Sequence, residues 1–147
     1  MDFSIRKAVR ADVPAVAAMA GCIWHSASAE ELESEFSDMI EAKDAAVFLA
    51  FSGDAVCGFA QCGLRYDYVE GTHSSPVGYL EGIFVRPEYR KQGCAGALLA
   101  ACESWASEKG CSEFASDCEL TNTQSLQFHL NVGFREANRI ICFTKQI

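Results

Sequence analysis

The chain has 147 residues, half of them apolar and 22% charged, with a formal net charge of −8 at pH 7. That is one domain's worth of sequence, 1–147, with enough apolar material for a sizeable core. The acidic balance disfavours a nucleic-acid partner and leans toward a cationic one. No run approaches the ~18–20 apolar residues of a membrane span, and Met1-Asp2-Phe3-Ser4-Ile5-Arg6 does not read as a signal peptide. A cytoplasmic protein with no membrane partner is therefore expected. Eight cysteines lie mostly inside apolar stretches without a C-x-x-C pair, which predicts free thiols acting as small hydrophobes.

Residues 3–9 alternate like a first strand. Asp12 reads as an N-cap with Pro14 just inside a helix, whose apolar face is Val13, Val16, Ala17, Met19 and Ala20 and which Gly21 ends. Trp24 and His25 fall in a loop. Ser28-Ala29-Glu30-Glu31 is a capping box opening a second helix with Leu32, Phe36, Met39 and Ile40 on one side. Residues 46–51 form an apolar strand, and Ser52-Gly53-Asp54 turns the chain into another, 56–65. Residues 66–78 make the longest irregular segment, of a size more often functional than idle. A strand then starts at Tyr79, a helix runs from about Cys94 to Lys109 with Gly110 after it, and residues 112–117 make a short strand. Thr121 to Gln124 open a last helix with a second capping box, which Gly133 closes. A final pair of strands is expected from Phe134 onward, 139–145 being the clearer. This order, β-α-α-β-β-β-α-β-α-β-β, implies an α/β architecture with a mixed sheet and helices on both faces.

Chemistry concentrates where the strand from Tyr79 meets Arg86-Pro87 and then Glu88-Tyr89-Arg90-Lys91-Gln92-Gly93-Cys94-Ala95-Gly96. Gly93, Ala95 and Gly96 leave no bulky side chain over the N–H groups at the helix start. Those groups, the helix dipole, Arg90 and Lys91 suit a pyrophosphate. The stretch is neither G-x-G-x-x-G nor a P-loop. A tight turn into an ordinary helix is the plain alternative.

Read as Arg90-x-x-Gly93-x-Ala95, the stretch resembles the acyl-CoA signature [Q/R]-x-x-G-x-[G/A] of the GNAT N-acetyltransferases. The segment Asn122-Thr123-Gln124-Ser125-Leu126-Gln127-Phe128-His129-Leu130-Asn131-Val132-Gly133-Phe134 is similar to that family's N-x-x-[S/A]-x-x-x-[Y]-x-x-x-G-F, one strand later. Further strings, Asp67-Tyr68-Val69-Glu70-Gly71, Ser74-Ser75-Pro76-Val77, Leu80-Glu81-Gly82-Ile83-Phe84-Val85 and Ala115-Ser116-Asp117, resemble the aminoglycoside 6'-N-acetyltransferase branch. The resemblance implies the GNAT fold, a mixed central sheet with a splayed strand pair flanked by helices on both faces. It also implies transfer of acetyl from acetyl-CoA to the 6'-amine of an aminoglycoside antibiotic in a ternary complex, through a tetrahedral species that collapses to amide and thiolate. A homodimer is implied as well.

Particular residues follow from it. The backbone of Ile83, Phe84 and Val85 would pair with the pantetheine arm, with Gly82 permitting a bulge. One of those N–H groups would polarise the thioester carbonyl. The N–H groups of Lys91, Gln92, Gly93, Cys94, Ala95 and Gly96 would hold the pyrophosphate, and Asn122 would touch the arm. An amine with a pKa near that of lysine is neutral in about one molecule in a thousand at pH 7, a deficit of ~4 kcal/mol, so a proton acceptor is needed. Glu81, an acid inside an apolar strand and sharing a face with Tyr79 and Ile83, is the candidate, acting through water. Its alternative role is a strand-edge carboxylate paired with an arginine. Asp117 would contact the amine or sugar hydroxyls, the alternative being an N-cap that Thr121 already provides. Trp24 and Tyr68 would line the acceptor cleft, a core role being the alternative for Trp24. Asn138 stands, without the charge, where relatives carry a substrate-facing acid, and Asp67, Glu70 and Glu119 would add negative field or else be solvated surface acids. His129 stands where the family carries a tyrosine that protonates the leaving thiolate; a packed structural histidine is the alternative. No metal site is read. Acetylation of another small amine or a peptide amine competes with this reading, as does a non-catalytic acyl-CoA-binding module. The presence of Glu81 and Asp117 argues against the module.

Overall fold

The computed structural model describes residues 2–147; Met1, the first residue of the stretch read as lacking a signal peptide, lies outside them. Five strands form one sheet in the order β1-β2-β3-β4-β5: β1 is Ser4–Lys7, β2 Ala45–Ser52, β3 Ala55–Arg65, β4 Val77–Val85 and β5 Phe114–Ser116. The first four are mutually antiparallel and β5 runs parallel to β4, so the sheet is mixed. Four helices cover it: α1 Val13–Ala20, α2 Ala29–Glu41, α3 Cys94–Glu108 and α4 Thr123–Asn131.

Period-two patterning divides the core. From β2, Val47 and Leu49 point to α1 and α2, where they meet Val16, Met19, Leu32 and Phe36. Ala46, Phe48 and Ala50 point the other way, onto Leu98, Leu99, Cys102 and Trp105 of α3, with Phe128 of α4 at the margin. Cys57, Cys62, Cys94 and Cys102 are buried on the α3 side, and all eight cysteines are unbridged. Burial raises the Cys94 thiol to about 11, so it behaves as an apolar group.

Helix starts follow local chemistry with two corrections. Ser28 Oγ accepts from the Glu31 N–H at 3.1 Å, as its capping box predicts. Asp12 does not cap α1. Its carboxylate turns back to the Val9 N–H at 2.7 Å and to Arg6 at 2.7 and 3.0 Å, closing the short turn that precedes the helix. For α4 the cap is Asn122, whose Oδ1 accepts from the Ser125 N–H at 3.0 Å, and not Thr121.

The predicted C-terminal strand pair is absent. Residues 134–147 form no strand, and Ile141 and Phe143 are 80% and 87% exposed. A strand needs an edge to pair with, and this segment takes none within its own chain. The observed order thus ends at α4, and β5 keeps its outer side open.

A register shift lies between Gln61 and Cys62 of β3: Cys62 faces Leu80 and Gln61 faces Gly82, so Glu81 is the extra residue of a β-bulge. The bulge reverses the alternation beyond it. Leu80, Ile83 and Val85 all reach the α3 side, whereas Phe84 reaches the α1–α2 side. Ile83 therefore does not share a face with Glu81, contrary to the expectation of a regular strand.

Candidate active site

β4 and β5 pair only from Gly78–Phe114 to Leu80–Ser116. Past Leu80, β4 continues five residues to Val85 with no partner on that side, while β5 has ended. The pair is splayed, and the bulge at Glu81 sits at the point of divergence.

Below the splay, the chain turns through Lys91 at φ 61° and Gly93 at φ 91° into α3. The first helical hydrogen bond is Ala97 N–H to Gly93 carbonyl, 3.0 Å, so the N–H groups of Cys94, Ala95 and Gly96 precede the ladder. A Cβ built on Gly93 or Gly96 meets nothing within 4 Å, so the space above this helix start is open. Dipole and free N–H groups there fit a diphosphate. The Cys94 side chain points into the core and can offer only its backbone. Arg90 is not aimed at the anion site by its Nε, which donates to the Val85 carbonyl at 2.8 Å while the guanidinium lies 5.5 Å from the Phe84 ring centroid. Gln92 likewise ties its amide to the Glu88 carbonyl at 3.1 Å.

On the α1–α2 side of the bulge is a cleft of about 370 Å³ lined by Trp24, Glu35, Phe36, Gln61 and Glu81 among others. Trp24 is half-buried. Its ring packs at 6.3 Å from that of Phe36, and it forms a wall of the cleft. Glu81 is paired with an arginine, as its alternative reading had it. Arg65 Nη2 donates to both carboxylate oxygens, at 2.8 and 3.1 Å, and Nε to Oε2 at 3.3 Å. The pair is not buried: the Glu81 side chain is 32% exposed and opens to the cleft.

The same guanidinium lies 3.5 Å from the centroid of the Tyr79 ring. Tyr79, itself buried, donates its hydroxyl to Asp117. Burial, then the bond to the Asp117 carboxylate, pushes the Tyr79 phenol far above its ordinary range, so it is a fixed donor. Burial works against the Arg65 charge, but its bonds to Glu81 outweigh that and raise it further. Glu81, Arg65, Tyr79 and Asp117 are thus one connected chain joining β3, β4 and the end of β5.

Asp117, Tyr68 and His129 border a second groove, about 1630 Å³, beside the open edge of β5. Tyr68 is exposed, and its hydroxyl accepts from the Gly71 N–H at 3.3 Å. Asn138 donates to Glu70 Oε1 at 2.9 Å and accepts from the Arg139 N–H at 2.8 Å; it fastens the C-terminal segment to the 66–76 loop. The Asn122 oxygen is taken by its cap, leaving its amide nitrogen for any contact with the cofactor. His129 is held on both sides. The Ser125 carbonyl, 2.7 Å from Nδ1, can only accept, so Nδ1 carries a proton. Nε2 lies 2.8 Å from Ser116 Oγ, which is itself 3.3 Å from the Leu80 carbonyl at the splay.

Arg65, Tyr79, Ser116, Gln61 and Glu35 escape sequence reasoning as site residues. A lone glutamine inside the apolar strand 55–65 is a usable signal for Gln61. Ser116 lies in the Ala115-Ser116-Asp117 string but is given no role there, and nothing local marks Arg65, Tyr79 or Glu35. Among the described residues no group of His, Cys, Asp or Glu could hold a metal, and no helix is long and apolar enough to cross a membrane.

Residues 14–134 match the model of the Acetyltransferase (GNAT) family. The chain is 41% identical over 143 residues to an aminoglycoside N(6')-acetyltransferase type 1 of Stenotrophomonas maltophilia, covering 95% of this chain and 91% of the relative. It is 38% identical over 131 residues to the Serratia marcescens enzyme of that name, covering 88% and 90%. It belongs to the GNAT acetyltransferase family, in its aminoglycoside 6'-N-acetyltransferase branch. The fold agrees: AAC(6')-Iy, solved in complex with the bisubstrate analog CoA-S-monomethyl-acetylneamine, superposes with a TM-score of 0.95 at 34% identity over 100% of both chains.

Proposed function

We propose that this GNAT acetyltransferase moves the acetyl group of acetyl-CoA onto the 6'-amine of aminoglycoside antibiotics, inactivating them, by direct attack within a ternary complex. The observation that carries the reading is the near full-length match to enzymes of that name, together with a splay and a carboxylate-lined cleft meeting at one bulge and an open helix start after the same strand.

Acetyl-CoA supplies an activated thioester. The chain holds it by the N–H groups at residues 91–96 and by the unpaired side of β4 at Ile83, Phe84 and Val85. Trp24 and Tyr68 offer flat faces to the sugar rings, and Glu81 and Asp117 supply the negative field that gathers a polycation. Glu81 takes the amine's proton through a water. A carboxylate in direct contact would stabilise the ammonium and work against its deprotonation. His129, with Nε2 turned to Ser116 at the splay, is secondary, since a thiol with a pKa near 8.5 leaves readily as thiolate. Asn138 steadies the loop that carries Tyr68.

The active unit is a homodimer. Supporting this are the open β5 edge and the exposed apolar Ile140, Ile141 and Phe143, which a second copy would cover. Sedimentation of the full chain tests it, a monomer at micromolar concentration overturning it. A cytoplasmic location accords with the need for acetyl-CoA.

The deciding experiment is product analysis. An aminoglycoside with a 6'-amine should be acetylated there, its 6'-hydroxyl counterpart should not, and polyamines should be poor acceptors. NMR placing acetyl on a 2-deoxystreptamine nitrogen would refute the assignment.

A further inference from the structure

A cation stands where a cationic acceptor must bind. Arg65, the last residue of β3, lays its guanidinium edge on the Glu81 carboxylate at 2.8–3.3 Å and its face on the Tyr79 ring at 3.5 Å. Stability is a weak reason for this. Side chains 43% and 32% exposed form a solvent-screened pair, and many such pairs contribute nothing measurable. Simple attraction of the substrate is no reason either, since Arg65 cancels part of the negative field of Glu81.

We propose that Arg65 is a positioning residue for acetyl transfer, fixing Glu81 directly and Asp117 through Tyr79 so that both carboxylates meet the acceptor in one set geometry. Glu81 needs such help. As the extra residue of a bulge it has no cross-strand neighbour to fix its side chain, and its β3 flanks, Gln61 and Cys62, face Gly82 and Leu80 instead. Three hydrogen bonds from one planar fork set both the place and the plane of the carboxylate, which a single ammonium cannot do. The fork is in turn held by the ring beneath it, and that ring is pinned at its far end by its hydroxyl on Asp117. The positive charge has a second consequence. An acceptor ammonium arriving beside Glu81 also arrives beside Arg65, which favours loss of its proton and offsets the stabilisation that Glu81 alone would give it. Arg65 thus trades some ground-state binding for a more reactive amine.

The inference rests on Glu81 being the proton acceptor, and the test separates the two. Steady-state kinetics are measured for Arg65→Gln, Arg65→Lys, Glu81→Gln and the double variant Arg65→Gln/Glu81→Gln, with acetyl-CoA affinity by calorimetry confirming a folded cofactor site in each. The expected result is a loss of about 10–100-fold in kcat for Arg65→Gln. Its KM for the aminoglycoside should be unchanged or lower, because a competing cation has gone. Arg65→Lys should recover only part of the loss, and millimolar methylguanidinium should restore part of the activity of Arg65→Gln. In the Glu81→Gln background, Arg65→Gln should cost little more. A purely structural role would not hold KM at or below the wild-type value while kcat falls, and would give no guanidinium rescue. Full kcat in Arg65→Gln, a raised KM with kcat unchanged, or losses that add in the double variant would overturn the proposal. If Glu81→Gln alone keeps normal kcat, the proton-acceptor reading fails and takes this proposal with it. If Arg65→Gln does not fold, the Arg65→Lys kinetics alone decide, full kcat there overturning it.

Discussion

The indole of Trp24 occupies the place where a side chain on residue 82 would be: a Cβ on Gly82 would fall 2.5 Å from its Cη2 and 2.9 Å from its Cζ2. The glycine next to the bulge is therefore what allows an aromatic wall to close on the strand carrying Glu81. Gly82→Ala must push the ring off β4. The wall of the acceptor cleft moves while the start of α3 does not, so KM for the aminoglycoside should rise about tenfold with acetyl-CoA affinity unchanged; a 1.4 kcal/mol loss of contact corresponds to that factor. Kinetics paired with calorimetry check it. An unaltered acceptor KM would mean that Trp24 does not touch substrate.

A charge placed at the start of α3 should abolish cofactor binding. Gly93 is a poor probe because its φ of 91° strains any replacement. Gly96 has no such constraint, and a Cβ there meets only open space. Gly96→Asp should fold normally and lose acetyl-CoA affinity by at least 10-fold, as a carboxylate among those N–H groups repels phosphate. Unchanged calorimetric affinity in a folded variant would move the diphosphate elsewhere.

How far the sequence could be read depended on whether the deciding contact was local. Ser28 and Glu31 lie three residues apart on one chain, so their cap is visible as a string, and so is the glycine turn before α3. Thr121 and Asn122 are adjacent candidates for one cap, and only the geometry of the entering chain selects Asn122. The face of Ile83 depends on the extra residue that β4 carries at Glu81 in its pairing with β3, and strict alternation gives the wrong side. Arg65 and Glu81 are 16 residues apart and meet only because the two strands are antiparallel. The apolar pattern of Ile140, Ile141 and Phe143 reads as strand, but pairing is a property of an available edge as well as of a sequence. The turn into α3 and the Glu81–Asp117 neighbourhood could be singled out because the family motifs lie on them. Arg65 and Tyr79, which link the two carboxylates, carry no motif.

Acid should weaken the N-terminal corner in a defined way. Asp12 is held below the ordinary carboxylate range, chiefly by its hydrogen bonds from Arg6, against an opposing burial effect. A group with a lowered folded pKa contributes fully above its unfolded value of ~3.9 and loses that contribution as pH falls through the folded value. Arg6 is 47% exposed, so solvent screening limits the effect to about 1 kcal/mol. Asp12→Asn should lower Tm by roughly 2–4 °C at pH 7, and the gap from wild type should narrow as pH falls below the ordinary carboxylate range through the lowered folded value. A gap that does not narrow in acid would assign the effect to lost packing.

The division of labour among Glu81, Asp117 and His129 is testable because their surroundings differ. Glu81 opens to the cleft at the bulge, Asp117 is engaged by the Tyr79 hydroxyl, and His129 is held between Ser125 and Ser116. Glu81→Gln keeps shape and hydrogen bonding but removes basicity, so the loss should fall on kcat and reach ~10²–10⁴-fold. Asp117→Asn should act mainly on acceptor KM, since the carboxylate already spends an oxygen on Tyr79 and contributes charge more than proton transfer. His129→Phe removes two internal hydrogen bonds and should lower stability by about 1–3 kcal/mol while costing kcat less than 10-fold. Single-turnover rates at saturating acetyl-CoA and aminoglycoside separate these outcomes from substrate affinity. Should Asp117→Asn lose kcat while Glu81→Gln retains it, the proton acceptor is Asp117. Should neither matter, the amine arrives neutral and no carboxylate takes its proton.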